Sequence, residues 1–177
     1  PMKKVLWSST GSGGFRMGNV EDFIVQLAEK YPNICGAFMD DFFGKFRKFN
    51  ASERVEKTRD LLKMIRAGLD KSVRRLDLYV VWYTHETGFV DPSIFQYIDG
   101  ITLWTWDSKG LPKLEERFAD VEAKFPGKKI LLGVYLFDFV HCYPVPRDLM
   151  EHQCELGLKL MREGRVDGMI FEANSVM

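Results

Sequence analysis

Two hydrophobic periods alternate along this chain, and that alternation limits the fold more than any other feature. Short continuous apolar runs occupy Lys4–Ser8, Ile34–Asp40, Leu76–Tyr83, Ile101–Trp106, Ile130–Phe137 and Gly168–Glu172, each bounded by Gly, Pro, Asp or Lys. None alternates cleanly between apolar and polar residues. A strand covered on both faces has no solvent side, so it reads as an unbroken run, as strands of a parallel sheet do. Between the runs the period becomes helical. Val20, Phe23, Ile24, Leu27 and Ala28 share one helix face, with Asn19 placed to cap it. Val55, Leu62, Ile65 and Leu69 stripe a charged second helix, for which Ser52 is the expected cap. Leu114, Phe118, Val121 and Phe125 stripe a third, stopped by Pro126-Gly127. Met150, Cys154, Leu158 and Met161 stripe the last, entered through Pro144 and Pro146 and ended by Gly164. Only a short helical turn fits between Asp91 and Asp99.

Repeated strand-helix-strand units predict an α/β protein with right-handed crossovers. No Ser/Gly/Pro-rich linker divides the chain, so residues 1–177 read as a single (β/α) domain. Two architectures satisfy the pattern: TIM-barrel-like (β/α) repeats with parallel strands, or an open doubly wound parallel sheet. A complete eightfold barrel typically takes about 250 residues. Here there are 177 residues and six strand candidates, the last followed only by Ala173-Asn174-Ser175-Val176-Met177. The expectation is an incomplete barrel as given, completed by further barrel segments or by a second chain.

Composition narrows the partners. Lys plus Arg and Asp plus Glu each number 25, and this zero net charge argues against a broad nucleic-acid or anionic-membrane footprint. No apolar run approaches the length of a membrane span and no signal-like N-terminus appears, so no membrane partner is expected. Cys35, Cys142 and Cys154 are odd in number and lack C-x-x-C spacing, which argues against a disulfide framework or structural zinc and makes a reducing, cytoplasmic setting the default. The run Thr10-Gly11-Ser12-Gly13-Gly14 matches neither the dinucleotide fingerprint nor the phosphate-loop spacing, and no G-x-S-x-G elbow occurs. No cofactor is expected.

In parallel α/β folds chemistry gathers at the carboxyl ends of the strands. Those ends read Ser8-Ser9-Thr10, Asp40-Asp41, Tyr83-Thr84-His85-Glu86, Trp104-Thr105-Trp106-Asp107, Phe137-Asp138 and Glu172-Ala173-Asn174. Nearly every strand finishes on a carboxylate, an aromatic ring or both. Acids and rings on one floor suit a carbohydrate cleft: two carboxyl groups supply general acid plus base or nucleophile, and Trp or Tyr faces stack on sugar rings. Asp40, Asp41, Asp138 and Glu172 are the catalytic candidates. Trp82, Tyr83, His85, Glu86, Trp104, Trp106, Asp107 and Asn174 are the substrate-binding candidates. A plainer reading stands beside each. Paired aspartates at a strand end often bind backbone N–H groups in the turn, and of Trp82 and Tyr83 at least one belongs to the core. Phe42, Phe43, Phe46 and Phe49 form either a lid or a buried seam. His85-Glu86 and Asp138 with His141 raise a metal-dependent alternative, but no His-x-His or His-x-x-x-His spacing supports it and no metal site is assigned.

The stretches YPNICGAFMDDFFGK, LYVVWYTHE, ITLWTWDS, KKILLGVYLFDF and LMEHQCELGLKLMREGRVDGMIFEANSV resemble an uncharacterised group of bacterial (β/α)-barrel proteins akin to glycoside hydrolases. The resemblance runs from the first strand to the last and rests on the Asp-Asp-Phe-Phe and Trp-Thr-Trp motifs. It implies a barrel with earlier strands before this chain and a final helix after it. It places Asp40, Asp41, Trp104, Trp106 and Asp138 on the group's strand-end pattern, from which Glu172 departs. The expected function is glycoside-hydrolase-like action on a small-molecule or oligosaccharide substrate. A non-catalytic sugar-binding protein and a metal-dependent hydrolase using Asp40, Asp41, His85 and Asp138 are the alternatives on the same scaffold.

Overall fold

In a computed structural model, residues 2–172 are described. Six long strands, β1 (Val5–Thr10), β2 (Ile34–Met39), β3 (Asp77–Tyr83), β4 (Gly100–Trp104), β5 (Lys129–Tyr135) and β8 (Gly168–Glu172), lie in that order in one sheet. Two short strands, β6 (Phe137–Asp138) and β7 (Tyr143–Pro144), pair antiparallel in the excursion after β5. The helices are α1 (Val20–Lys30), α2 (Ala51–Leu69), α3 (Leu114–Lys124) and α4 (Arg147–Arg162). Parallel pairing joins β1 to β2, β2 to β3 and β5 to β8. Sheet neighbours are thus sequence neighbours throughout. A doubly wound sheet reverses its strand order at a switch point. Here the order never reverses, which is the winding of TIM-barrel-like (β/α) repeats. None of the described helices is long and apolar enough to cross a membrane.

The described residues pack as two compact units, 2–81 with 91–100, and 82–90 with 101–172. In the first unit, Asn19 accepts the Asp22 N–H at 3.3 Å and starts α1, whose Ile24, Val25 and Ala28 are buried. The cap of α2 is Asn50 and not Ser52. With Ala51 as the first helical residue, Glu53 stands at the third position, so Asn50 and Glu53 exchange bonds of 3.0 and 3.3 Å in a capping box. Ser52 donates to Asn50 Oδ1 instead. Arg66, buried on α2, donates to Asp99 at 3.2 Å and to the Leu76 carbonyl at 2.8 Å, while Asp99 accepts the Leu78 N–H. One guanidinium thereby fastens the helix to the entry of β3. The aromatic loop after β2 is a seam: Phe42, Phe43 and Phe46 are buried, with edge-to-face rings 4.9 and 5.8 Å apart. The stretch from Asp91 to Asp99 holds one short 3-10 turn, Pro92–Ile94, as its length requires.

In the second unit, α3 buries the predicted stripe, with Leu114, Phe118, Val121 and Phe125 at 1% exposure or less. The α4 stripe differs from the apolar pattern. Its inner face is Gln153, Leu156, Gly157 and Leu160, while Leu158 and Met161 are exposed. Gly157 explains the offset: a Cβ there would meet Met169 Sδ at 2.1 Å, so the missing side chain lets the helix approach β8. Gln153 is satisfied through its donation to the Tyr135 carbonyl at 3.4 Å. Helix-period reading weighted by apolarity passes over both residues.

Gly133 on β5 plays the corresponding part for the rings. Its own Cβ would lie 2.0–2.5 Å from the Trp104 indole, a rigid group that cannot yield by rotating a terminal bond. Gly133→Ala is therefore expected to destabilise the protein by about 1–3 kcal/mol, read as a lowered urea midpoint at unchanged slope. An unchanged midpoint would show that the indole has room the packing does not indicate.

Candidate functional site

The site is assembled in the second unit from the loops after β3, β4 and β5. Its fixed point is Asp138, 1% exposed. Oδ1 accepts the N–H groups of Val140 (2.9 Å) and His141 (2.8 Å). Oδ2 accepts the Ser108 N–H (3.0 Å) and a short bond from the Ser108 hydroxyl. The His141 ring Nδ1 stands 3.2 Å from both carboxylate oxygens. Burial pushes this carboxyl up, but the bonds from Ser108 and His141 outweigh it and hold the group well below the usual carboxylate range. Asp138 is therefore ionised at any working pH. It stitches the loop after β4 to the loop after β5, and the Tyr143 hydroxyl, 3.1 Å from Ser108 Oγ, extends the stitch into β7.

Ring placement follows from strand alternation. On β3, Trp82 is fully buried and packs edge-on against Phe125, at the C-terminal end of α3, and Tyr83 points the other way. Tyr83 stacks on His85 (5.5 Å, 15° between planes) and meets Trp106 edge-on at 5.4 Å. Trp104 is 4% exposed, donates to Thr102 Oγ1 at 2.8 Å and packs on Tyr135. β4 ends at Trp104, so Trp106 sits in the loop, half-buried, with Phe139 stacked at 5.5 Å. A cavity of about 360 Å³ opens beside it. Thr84, His85, Thr105 and Trp106 line it together with Asp107, Lys109, Gly110 and Arg117. Asp107 Oδ1 accepts the Lys109 N–H at 2.9 Å and so shapes the 3-10 turn Ser108–Lys113. Arg117 Nη1 donates to Thr84 Oγ1 at 3.4 Å.

The structure thus brings His85, Trp106 and Asp107 to one cavity, with Tyr83 behind the ring of His85. Trp82 and Trp104 lie in the core and offer a ligand little or no surface. Glu86 is buried at 2% exposure, its carbonyl accepting the Trp82 indole N–H at 3.2 Å. Glu172 ends β8, exposed, opposite Tyr135 in register. Asp40 and Asp41 lie in the first unit, in the turn beyond Met39, where strand alternation no longer applies. Asp41 has φ +43°, its Oδ2 accepts the Gly13 N–H at 2.8 Å, and Asp40 Oδ1 accepts the Asp41 N–H at 2.9 Å. These bonds close the glycine loop after β1, where a Cβ on Gly14 would stand 2.9 Å from the Asp41 carbonyl. Asn174 falls outside the described residues. Sequence reading placed Thr84 and Thr105 at strand ends without giving them a role, and did not reach Lys109 and Arg117. Arg117 sits in a run of charges on a helix, which reads as a solvated face, and the one usable sign was Gly110 after a strand end.

Asp107, Asp138 and His141 also present ligand-type atoms within 4.8 Å of one another. The donor set around them does not fit a cation. The Asp138 oxygens already face three N–H groups and a hydroxyl, whose dipoles would point their positive ends at the ion. Asp138 and His141 form a hydrogen-bonded pair, with Asp107 Oδ1 3.6 Å from the His141 ring.

No family model matches the chain and no curated protein matches it. Solved structures resemble it at low identity. A sialic acid aldolase of Ruminococcus gnavus superposes with a TM-score of 0.51 at 10% identity, over 99% of this chain and 56% of its own. The glycoside hydrolase domain of PgaB (BpsB) from Bordetella bronchiseptica gives 0.55 at 12%, over 96% of this chain and 64% of its own. A catalytic lysine mutant of the aldolase gives 0.54 at 9%, over 97% and 53%. The chain spans between half and two thirds of each of these proteins. At such identities the likeness shows the fold, which is TIM-barrel-like.

The low carboxyl pKa of Asp138 has a consequence for stability. A carboxylate whose folded-state pKa lies below its unfolded value of about 3.9 contributes fully above that pH and loses its contribution as pH falls further. Asp138→Asn should lower stability by about 1–3 kcal/mol near neutral pH, since Ser108 and His141 donors lose a charged acceptor. Its urea midpoint should also fall less than that of wild type between about pH 5 and pH 3. Parallel acid limbs in the two proteins would contradict this account of Asp138.

Proposed function

We propose that the protein acts on a carbohydrate in the manner of a glycoside hydrolase, with the sugar seated in the cavity beside Trp106. The observation that carries this reading is the juxtaposition in one cavity of an indole ring, a carboxylate, an imidazole and two hydroxyls: Trp106, Asp107, His85, Thr84 and Thr105. An indole presents an apolar face to the C–H face of a sugar ring, and hydroxyl and carboxylate groups accept and donate to sugar hydroxyls. The fold neighbours support it, one being a glycoside hydrolase domain and the other a sialic acid aldolase.

The carboxylates divide by environment. Asp138, ionised and with both oxygens occupied by donors, is a poor proton donor and a poor nucleophile; its part is to position the loops that carry Asp107 and His141. Asp107 is half-buried, and one of its oxygens caps the turn at Lys109. The other can accept a proton from water or attack the anomeric carbon. The proton for the leaving oxygen comes from a second carboxyl, for which the exposed Glu172 of the same unit is the candidate. Retaining chemistry places the pair about 5 Å apart and inverting chemistry roughly 6.5–9.5 Å.

A second reading is favoured by the saturation of Asp138: the most buried strand-end acid holds structure, as it would in a protein that binds sugar without cleaving it. A panel of nitrophenyl glycosides and oligosaccharides, assayed with the full chain, separates the two. Under the hydrolase reading, Asp107→Asn is expected to lower the rate on the cleaved substrate by about 10²–10⁴-fold, with Glu172→Gln doing the same. Equal rates for wild type and Asp107→Asn would remove Asp107 from the reaction. Binding without turnover across the panel would leave only the binding protein.

A further inference from the structure

Arg117 differs from several other well-covered arginines of the chain, which are matched by carboxylates or, as Arg74 is, by backbone carbonyls. Arg16 pairs with Glu21 at 2.7 Å, Arg66 with Asp99 at 3.2 Å and Arg165 with Glu122 at 2.7 Å. Among the described residues Arg117 pairs with no carboxylate, and its bond is the 3.4 Å contact to Thr84 Oγ1. A guanidinium carries five donors in a planar fork suited to a carboxylate. Here that fork borders an open cavity with most donors unused.

The surroundings keep it there. The guanidinium lies over Gly110, where a Cβ would come within 2.4 Å of Arg117 Nη1 and 3.2 Å of Thr105 Cγ2. Any side chain at position 110 would push the head group away from the two threonines. Lys109 brings a second cation to the same wall, and Thr84 and Thr105 add hydroxyls 3.4 Å apart. Against these stands one acid, Asp107. A cavity rich in positive charge, in a chain whose formal net charge is zero, marks a place where an anion is received. Its volume of about 360 Å³ lies within the range of small-molecule sites.

We propose that this cavity seats the carboxylate of an acidic sugar, held by Arg117 and Lys109 with the hydroxyls of Thr84 and Thr105, while Trp106 takes the ring face. The inference rests on the carbohydrate reading above and names its substrate class. A carboxylate is favoured over a phosphate ester because Asp107 in the same cavity repels a second negative charge, and because one planar monoanion matches one guanidinium fork.

The test is a heteronuclear NMR titration of the full chain, at low ionic strength, with methyl β-glucuronide, methyl β-glucoside and glucose 6-phosphate. The glucuronide is expected to bind at least roughly tenfold more tightly than the glucoside, with the Thr84, Thr105 and Gly110 amides shifting most. Arg117→Gln should abolish that margin and leave glucoside affinity unchanged. Gly110→Ala, which keeps every charge but displaces the guanidinium, should reduce it. Equal affinity for glucuronide and glucoside would overturn the proposal, as would a margin that survives in Arg117→Gln, stronger binding of the phosphate ester, or no binding of the glucuronide at these amides. Such a failure is distinct from failure of the hydrolase reading: a preference for the glucuronide with no cleavage of any glycoside sustains the acidic-sugar site and ends the hydrolase, and indiscriminate binding with cleavage does the reverse.

Discussion

A carboxylate taken out of water costs several kcal/mol unless its lone pairs are met, and at Asp138 that requirement organises the site. Ser108 must turn its N–H and hydroxyl inward, and the chain after Asp138 must bend back so that Val140 and His141 offer their N–H groups. Two loops are thereby tied together by one buried charge, beside the stacking of Trp106 on Phe139. The position of Asp107, one residue before Ser108, follows from it, and so does the short 3-10 turn that carries Lys109 and Gly110 to the cavity wall. A neutral residue at 138 would remove the reason for either loop to take its shape.

The rings form the second level of constraint. Strand alternation sends Trp82 toward the helix layer and Tyr83 to the opposite side, and the glycine at 133 lets Trp104 settle against β5. Trp104, Tyr135, Phe139 and Trp106 then follow in contact from core to cavity, with centroid distances of 4.7 to 6.0 Å. Such a column is stiff because each ring is wedged by the next. Trp106 is therefore held in one orientation at the cavity. Arg117 is placed in a similar way, by Gly110 and Thr84.

Much of this was legible in the linear chain. The apolar runs located all six long strands, and the stripes located all four helices, because burial on both faces and burial on one stripe leave different periods. The edges were less legible. Ser52 and Asn50 are both good capping residues, and only the start of α2 at Ala51, which brings Glu53 to the third position, selects Asn50. On α4 the buried face includes Gln153 and Gly157, which no apolar count would choose, since one is satisfied by a carbonyl and the other is wanted for its missing side chain.

The sequence by itself determined the (β/α) repeat, the sheet of parallel strands and the gathering of acids and rings at strand ends, because these depend on local period and on where apolar runs stop. It could not assign roles among those acids. Asp138 and Asp107 look alike in the chain, yet one is buried among four donors that favour its charged form, while the other lines a cavity. Asp40 and Asp41 read in the chain as a pair at a strand end, and their bonds to the Asp41 and Gly13 N–H groups appear only in the fold. Of the cavity's cations, Arg117 lay in a helix that reads as solvated and Lys109 in a turn. Those distinctions are matters of dielectric, donor geometry and neighbouring backbone, supplied by residues far apart in sequence, and only the tertiary structure decided them.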